Sequence, residues 1–358
     1  MFDVIIIGAG PGGSAAAKKC AEKGLSTLIL EKKKLPRDKV CSGMLLSRAA
    51  KIMVEEEFGK IPQEVLVANL SGLILWVPDV GQHKILVDIP ITWRKDLDYW
   101  MNQKAKERGV EIWEGALVKK ISDNGTKCRV LLKKEDGEQE IETRFVIGAD
   151  GPYSVTRKSM FPGLQMSYTT AQRECYQGSL SLPKDYSYIV FPRQQYRPNF
   201  WINPKGNYFT LEGGLRGLKG EVRRILADYG LGEQKPLWKD GCINRALLYN
   251  YFNSGDFLPA KGNVLLVGDA AGLKNPINGE GIHTAIKSGI LAAESIAKAI
   301  KIGDSASKIY LAEINPLLID LQLNYSKVER IKEQLNKGPQ TLHTLREAFE
   351  ESIKTINF

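Results

Sequence analysis

A few short stretches carry the residue types and spacings that chemistry at a nucleotide cofactor requires. Near the start, Gly8, Gly10 and Gly13 keep the G-x-G-x-x-G spacing, with Pro11 and Gly12 between them. The first glycine permits a tight turn, the second lets backbone approach a pyrophosphate, and the third lets a helix pack closely on a strand. The helix that opens there offers free N–H groups and a partial positive charge to the pyrophosphate. Glu31 stands where an acidic side chain accepts from a ribose hydroxyl, and Lys32 follows it. Far downstream, the apolar run Val264–Val267 ends in Gly268-Asp269, and Pro276-Ile277-Asn278-Gly279-Glu280-Gly281 leads into Ile282. An aspartate at a strand's carboxyl end can bind a ribityl hydroxyl. N–H groups at the head of the next helix can face a flavin pyrimidine ring and stabilise the negative charge of its reduced form. That combination separates FAD from NAD. Asp150-Gly151 sits in a third segment, Val146 to Arg157, which taken alone could be a strand end with a capping Ser154. Arg94 and Asp98, four apart at a helix start, read in isolation as a surface ion pair.

The elements that must position these residues are legible from periodicity. Phe2 to Ile7 reads as a buried strand, the alanine-rich stretch after Gly13 as a helix, and Leu25 to Leu30 as a second strand. Residues 62–93 alternate as strands, with Gly72, Pro78 and Gly81 as turn points. Asp96 to Arg108 reads as a helix, with Leu97, Trp100, Met101 and Ala105 on one face and Gly109 as its stop. Val110 to Gly151 reads as a β-meander turning at Asp123-Asn124-Gly125 and Glu135-Asp136-Gly137. Antiparallel strands are expected over 168–217, a short helix over 219–230, a strand over 263–267, and a long helix from Ile282 to Ile300. The remainder to Phe358 is helical and rich in polar residues. With no repeat and no low-complexity linker, the domains interleave. Residues 1–60, 92–165 and 262–300 form a cofactor domain, 61–91 and 166–261 a substrate domain, and 301–358 C-terminal helices.

Composition narrows the classes. The chain has 358 residues and a formal charge of +9, which reads first as a lysine-rich solvated surface and second as attraction to anionic lipid head groups. No nucleic-acid motif accompanies the charge. Five cysteines without a C-x-x-C pair and three scattered histidines support no metal site. The sparse, odd cysteine set and a strand beginning at Phe2 point to a cytoplasmic protein, with contact at the inner face of the membrane as a further expectation.

Together, the Gly8–Gly13, Val146–Arg157 and Gly268–Gly281 segments resemble the glutathione-reductase-type FAD fold of para-hydroxybenzoate-hydroxylase-like flavoproteins. The stretch Pro36-x-x-Lys39-x-Cys41-Ser42-Gly43 resembles the P-x-x-K-x-C-[GS]-G signature of the geranylgeranyl reductase family, FAD enzymes that saturate double bonds in prenyl chains. The expected fold is α/β, a Rossmann FAD domain interleaved with an antiparallel-sheet substrate domain and a helical C-terminus. The resemblance implies that Gly12, Glu31, Cys41, Ser42, Gly43, Arg94, Val118, Asp269, Gly281 and Ile282 line the FAD, with Val118 near the adenine. A second family pattern, Y-x-W-x-F-P-K-G, is partly matched by Asn199 to Gly206: Trp201, Pro204, Lys205 and Gly206 agree, whereas Asn199 and Asn203 replace aromatics.

The activity implied is hydride transfer from N5 of reduced flavin to a carbon–carbon double bond of a prenyl lipid or prenyl quinone, with a proton reaching the neighbouring carbon. The substrate is then a hydrophobic or amphipathic small molecule. No second G-x-G-x-x-G provides for a nicotinamide, so the electron donor is external: ferredoxin, a quinol, or transient NAD(P)H. Cys41 has either a packing role or a redox or proton-donor role. Cys41, Trp201 and Lys205 are the candidate catalytic residues; Trp201 otherwise reads as a core or pocket-wall aromatic, Lys205 as solvated surface or substrate-facing, and His283 as a helix-start residue. The rivals are an aromatic hydroxylase of the same fold, using NAD(P)H and oxygen, and a non-catalytic FAD-containing isoprenoid carrier.

Overall fold

The computed structural model describes residues 1–191, 200–214, 220–246, 248–337 and 341–354. Its first strand, Phe2–Ile7, is apolar on both faces, as the centre of a parallel sheet must be. Thr27–Glu31 pairs with it in parallel on one side, with Val4 opposite Thr27, and Gly137–Gly148 on the other, with Val4 opposite Phe145. Glu111–Glu114 and Val264–Leu266 extend the sheet in the same sense at either flank. Register then does the positioning. Ile7 lies beside Leu30 and Gly148, and Gly148 beside Leu266. The residues that follow these positions, Gly8, Glu31, Asp150 and Asp269, therefore emerge at one sheet edge, the carboxyl end where α/β sheets bind ligands.

Helix Pro11–Glu22 is clamped between this sheet and helix Ile282–Ile302. The approach is close enough to demand glycine. A Cβ on Gly13 would stand 2.0 Å from the Gly8 carbonyl oxygen, and one on Gly289 would stand 2.4 Å from that of Gly12. Of the expected meander, Leu117–Asp123, Cys128–Lys134 and Gly137–Gly148 form it, with turns at 124–127 and 135–136. Its supposed first strand, Glu111–Glu114, instead joins the parallel sheet, a distinction that four residues of alternation cannot carry.

The second sheet has seven described strands. In spatial order they are Trp238–Ala246, Tyr168–Gln177, Tyr208–Gly213, Phe200–Lys205, Tyr186–Val190, Leu66–Val77 and Gly81–Thr92. Three expectations change here. Tyr186–Val190 lies parallel to Leu66–Val77, so the sheet is not wholly antiparallel. Gly72 is no turn but a bulge inside a strand, where a Cβ would meet the Ile85 oxygen at 2.0 Å, whereas the turn expected at Pro78 is present over Pro78 to Val80, with Gly81 opening the next strand. Trp238–Ala246 is an unanticipated edge strand, its alternation hidden by Lys239, Asp240 and Gly241. Residues 215–217 and 219 of the expected strands and helix, and 355–358 of the C-terminus, lie outside the described residues.

Alternation along Leu66–Val77 separates two cores. Ile74 and Trp76 face a cluster with Tyr188, Phe200 and Phe209, while Leu73 and Leu75 face Ile89, Ile91 and Phe191. Helices Ala306–Lys337 and Thr341–Lys354 complete the second cluster through Val328, Ile331, Leu345 and Phe349. The longer helix also buries Ile309, Tyr310 and Ile314 against the parallel sheet's core, so it spans both halves. No helix among the described residues is long and apolar enough to cross a membrane.

Candidate active site

Between the two sheets lies a cavity of about 1340 Å³. Gly8, Gly10, Pro11, Gly12, Glu31, Lys32 and Val118 wall one end; Cys41, Ser42, Arg94, Asp150, Gly151, Asp269, Gly279, Gly281, Ile282 and Trp201 continue it. These are the residues singled out in the sequence, brought together from separate stretches between Gly8 and Ile282. Gly13, Gly43 and Lys205 are not in the wall. Gly13 serves helix packing, as above. Gly43, at φ +71°, lets the 40–44 strap lie on Thr92, whose oxygen a Cβ would approach to 2.0 Å. Asn199 lies outside the described residues.

At the glycine end, Glu31 is buried and accepts from the N–H groups of Ala9 (3.0 Å) and Lys33 (3.0 Å) and from Arg37 Nε (3.0 Å). Arg37 Nη1 reaches Asp98 Oδ2 at 3.2 Å, and Asp98 holds Arg94 through two bonds of 2.8 and 2.9 Å. The Arg94–Asp98 pair is therefore not on the surface: the side chains are 3% and 1% exposed. Burial pushes the Asp98 carboxyl up, but the two guanidiniums, Arg94 first, hold it below the usual carboxylate range. Asn102, on the same helix, donates to the Ala9 carbonyl at 3.2 Å and accepts from Ser14, locking helix Arg94–Lys106 to the glycine turn.

Cys41 faces Arg94 across the cavity wall. Burial raises its thiol pKa, but Arg94, the Gly43 N–H and Lys39 outweigh that, so the net shift is downward. Cys20 and Cys128 are pushed the other way by burial, to about 12 for Cys128. Iodoacetamide should alkylate Cys41 first among the five free cysteines, and bound cofactor should protect it; mass mapping with and without cofactor checks this.

Lys205 is neither solvated nor in the cavity wall. Its Nζ is buried behind the wall, donates to the Thr92 carbonyl at 2.6 Å and sits 4.2 Å from the centre of the Trp93 ring. Burial lowers it to about 8, with Glu212 acting in the opposite sense. Glu212 itself lines the cavity, in register with Trp201 on one neighbouring strand and Arg173 on the other. Burial raises its carboxyl pKa and Lys205 and Arg173 only partly offset this, leaving it shifted up; it accepts a hydrogen bond from the Thr210 hydroxyl at 3.1 Å. Arg173 is fully buried and tied to Asp38, Asp240 and the Cys41 carbonyl, which fixes the strap to the sheet.

Asp269 accepts from Lys39 at 3.3 Å; burial raises it, but Lys39 and Lys274 bring it below its ordinary value. Asp150 Oδ2 accepts from the Thr156 N–H and hydroxyl, while Oδ1 is buried with no hydrogen-bond partner among the described residues. A buried orphan acceptor in a cavity wall fits a ligand hydroxyl. At Gly10 a Cβ would meet only Arg37 at 3.6 Å, and at Gly279 it would meet nothing within 4 Å, so both leave room for a ligand at the backbone. Glycine turn, helix N-terminus, orphan acceptor and two strand-end carboxylates suit a dinucleotide, and the volume leaves space beyond it.

Fold and cavity together define an FAD-dependent flavoprotein oxidoreductase. The family described as FAD binding domain matches residues 1–180, half of the chain. The chain is 30% identical to digeranylgeranylglycerophospholipid reductase 2 of Methanopyrus kandleri, over 86% of this chain and 79% of that one. It is 29% identical to geranylgeranyl diphosphate reductase of Rhodobacter capsulatus, over 85% and 77%. A geranylgeranyl bacteriochlorophyll reductase-like protein from Thermoplasma acidophilum shares the fold with a TM-score of 0.74 at 18% identity, over 98% of this chain and 96% of that one. The chain belongs to the geranylgeranyl reductase family, and FAD is its cofactor.

Several residues of the site escaped the sequence reading. Arg37 and Lys39 lie inside the quoted signature, and the charge run around them was the available signal. Glu212 carried none, since a lone glutamate before two glycines reads as a strand end.

Proposed function

We propose that the protein reduces carbon–carbon double bonds in a prenyl lipid or prenyl quinone. Support comes from the named relatives and from a cavity whose lining runs from the glycine turn to Trp201, Met44, Ile277 and Val328. Gly8, Gly10, Pro11 and Gly12 would receive the pyrophosphate, Glu31 and Lys32 the ribose, and Val118 the adenine. Asp150 and Asp269 would take ribityl-side hydroxyls, and Gly279, Gly281 and Ile282 the flavin ring, with Cys41, Ser42 and Arg94 alongside. When bound and reduced, FAD supplies the hydride.

The chain must supply the rest. Its apolar wall orients the alkene and excludes water, and an acid must hold a proton within reach of the second carbon. Glu212 fits that duty: it lies in the wall, and burial keeps it protonated to higher pH than a solvated glutamate. Lys205, one layer back, tunes Glu212 rather than touching substrate. The single observation that carries the reading is this cavity-lining carboxyl, in register between Trp201 and Arg173 and kept protonated by burial. Electrons enter from an external donor, and the +9 charge favours contact with an anionic membrane surface, where such lipids reside.

Anaerobic, chemically reduced enzyme should be reoxidised by prenyl lipids or prenyl quinones, with a product two mass units heavier per bond reduced. Reoxidation by none of them would overturn this reading, and substrate-stimulated oxygen uptake with NADPH would replace it with the hydroxylase one.

A further inference from the structure

Behind the 275–281 turn lies a second, smaller cavity of about 100 Å³, walled by Ser47, Asn275, Glu280, His283 and residues of both C-terminal helices. Glu280 belongs to the walls of both cavities, so its side chain stands in the partition between them. The turn fixes its backbone: its N–H donates to Asn278 Oδ1 at 2.8 Å, and its carbonyl accepts from the Asn275 N–H at 2.9 Å. The carboxyl bonds Ser47, the N-cap of helix Arg48–Phe58, yet Oε1 is sealed with no hydrogen-bond partner among the described residues. His283 Nε2, in the same chamber, is likewise sealed and unpartnered. Two orphaned polar atoms beside one polar chamber with room for water are costly as pure structure, and nothing in the proposed hydride transfer uses them.

We propose that Glu280 is a redox-linked proton acceptor. Its carboxylate takes a proton through the rear chamber when negative charge arrives on the flavin side of the turn, and returns it when that charge leaves. The step moves one proton and no electrons; its oxidant and reductant are those of the cofactor itself. Negative charge arriving nearby raises a carboxyl pKa, which is the coupling. Charged residues line the cavities on both sides of Glu280. Asp269 and Lys274 lie in the main-cavity wall, and His283 is in the first turn of the helix that follows, Ile282–Ile302. Asp320 and Lys327 come from helix Ala306–Lys337, and Glu351 from helix Thr341–Lys354. Lys327 and Glu351 pair with one another, and burial, aided by Lys287, lowers His283 to about 4, leaving it neutral. Burial pushes Glu280 itself up to about 7, with Ser47 opposing, so a small change in local charge switches it near neutral pH. The proposal rests on FAD occupying the main cavity and is independent of which alkene, if any, is reduced.

The test is a redox titration of the FAD-loaded protein from pH 6 to 8, comparing wild type with Glu280→Gln, which keeps the side chain's size. The slope of midpoint potential against pH counts protons taken up per electron pair. Wild type should take up a larger number than Glu280→Gln, by a fraction of a proton approaching one; equal slopes overturn the proposal. A second readout needs no cofactor. A folded-state pKa raised from ~4.3 means that the folded apoprotein binds more protons than the unfolded chain up to about pH 7, so Glu280's contribution to stability falls as pH rises through that window. The Tm of wild-type apoprotein minus that of Glu280→Gln should therefore decline from pH 4.5 to 7; a flat difference counts against Glu280 as the titrating group. Ser352→Leu, which fills the rear chamber, should slow proton exchange and leave the stoichiometry unchanged. An unchanged exchange rate rules out the chamber as the route.

Discussion

Replacing Glu212 with glutamine lowers turnover by ~10²–10⁴-fold, while the FAD absorbance spectrum and thermal stability stay close to wild type. Glutamine keeps the shape and the bond from Thr210 but has no acidic proton to give to the carbon that does not receive hydride. The loss should appear in kcat rather than KM, because a proton transferred only in the transition state contributes nothing to ground-state binding. The pH profile carries the sign. Glu212 must be protonated to act, so wild-type activity falls as pH rises through its raised pKa, and the falling limb disappears in the variant. Lys205→Met sharpens the test. Removing the cation that most opposes the shift should move that limb to higher pH. Turnover of Glu212→Gln within about threefold of wild type would pass the acid's role to another group, Cys41 being next in the wall.

The second large effect is on the fold around the cofactor. Asp98→Ala strips two buried guanidiniums, Arg94 and Arg37, of a shared partner. Leaving a buried charge uncompensated costs ~3–5 kcal/mol, a sizeable share of a typical domain's whole stability. Arg37 retains Glu31, so Arg94 is the group most exposed to the loss. The apoprotein should melt well below wild type, and FAD affinity should drop because Arg94 and Arg37 both line the cavity. Asp98→Asn, which still accepts one bond, should fall between. Urea unfolding of the apoprotein separates the stability loss from the binding loss. An Asp98→Ala midpoint equal to wild type would mean the pair is solvated in solution.

Much of this site was readable in the sequence because each feature is local. Gly8 and Gly13 stand where a Cβ would strike backbone, and their spacing with Gly10 records the turn directly. Asp150 and Asp269 sit at the ends of apolar runs, so strand periodicity alone places them at a sheet edge. The signature from Pro36 to Gly43 is contiguous, and it brought Cys41 and Ser42 with it. All of these depend on residues a few positions apart.

What tertiary structure decided was pairing over long separations and the depth at which charges lie. Arg94 and Asp98 look the same in sequence whether solvated or buried; packing against the glycine turn through Asn102, and the approach of Arg37, put them inside. Lys205 has an ordinary surface composition, and only the crossing of the 40–44 strap over Thr92 buries its amine. Glu212 and Glu280 become acids of interest solely through the cavities they wall. The opening glycines, for their part, turn out to divide their labour: Gly10 leaves space at the cavity, whereas Gly12 and Gly13 are spent on helix contacts with residues far along the chain or across the turn. Periodicity reports which face of an element is apolar. Charge burial and proton affinity depend on which other element covers that face, and that is a property of the folded chain alone.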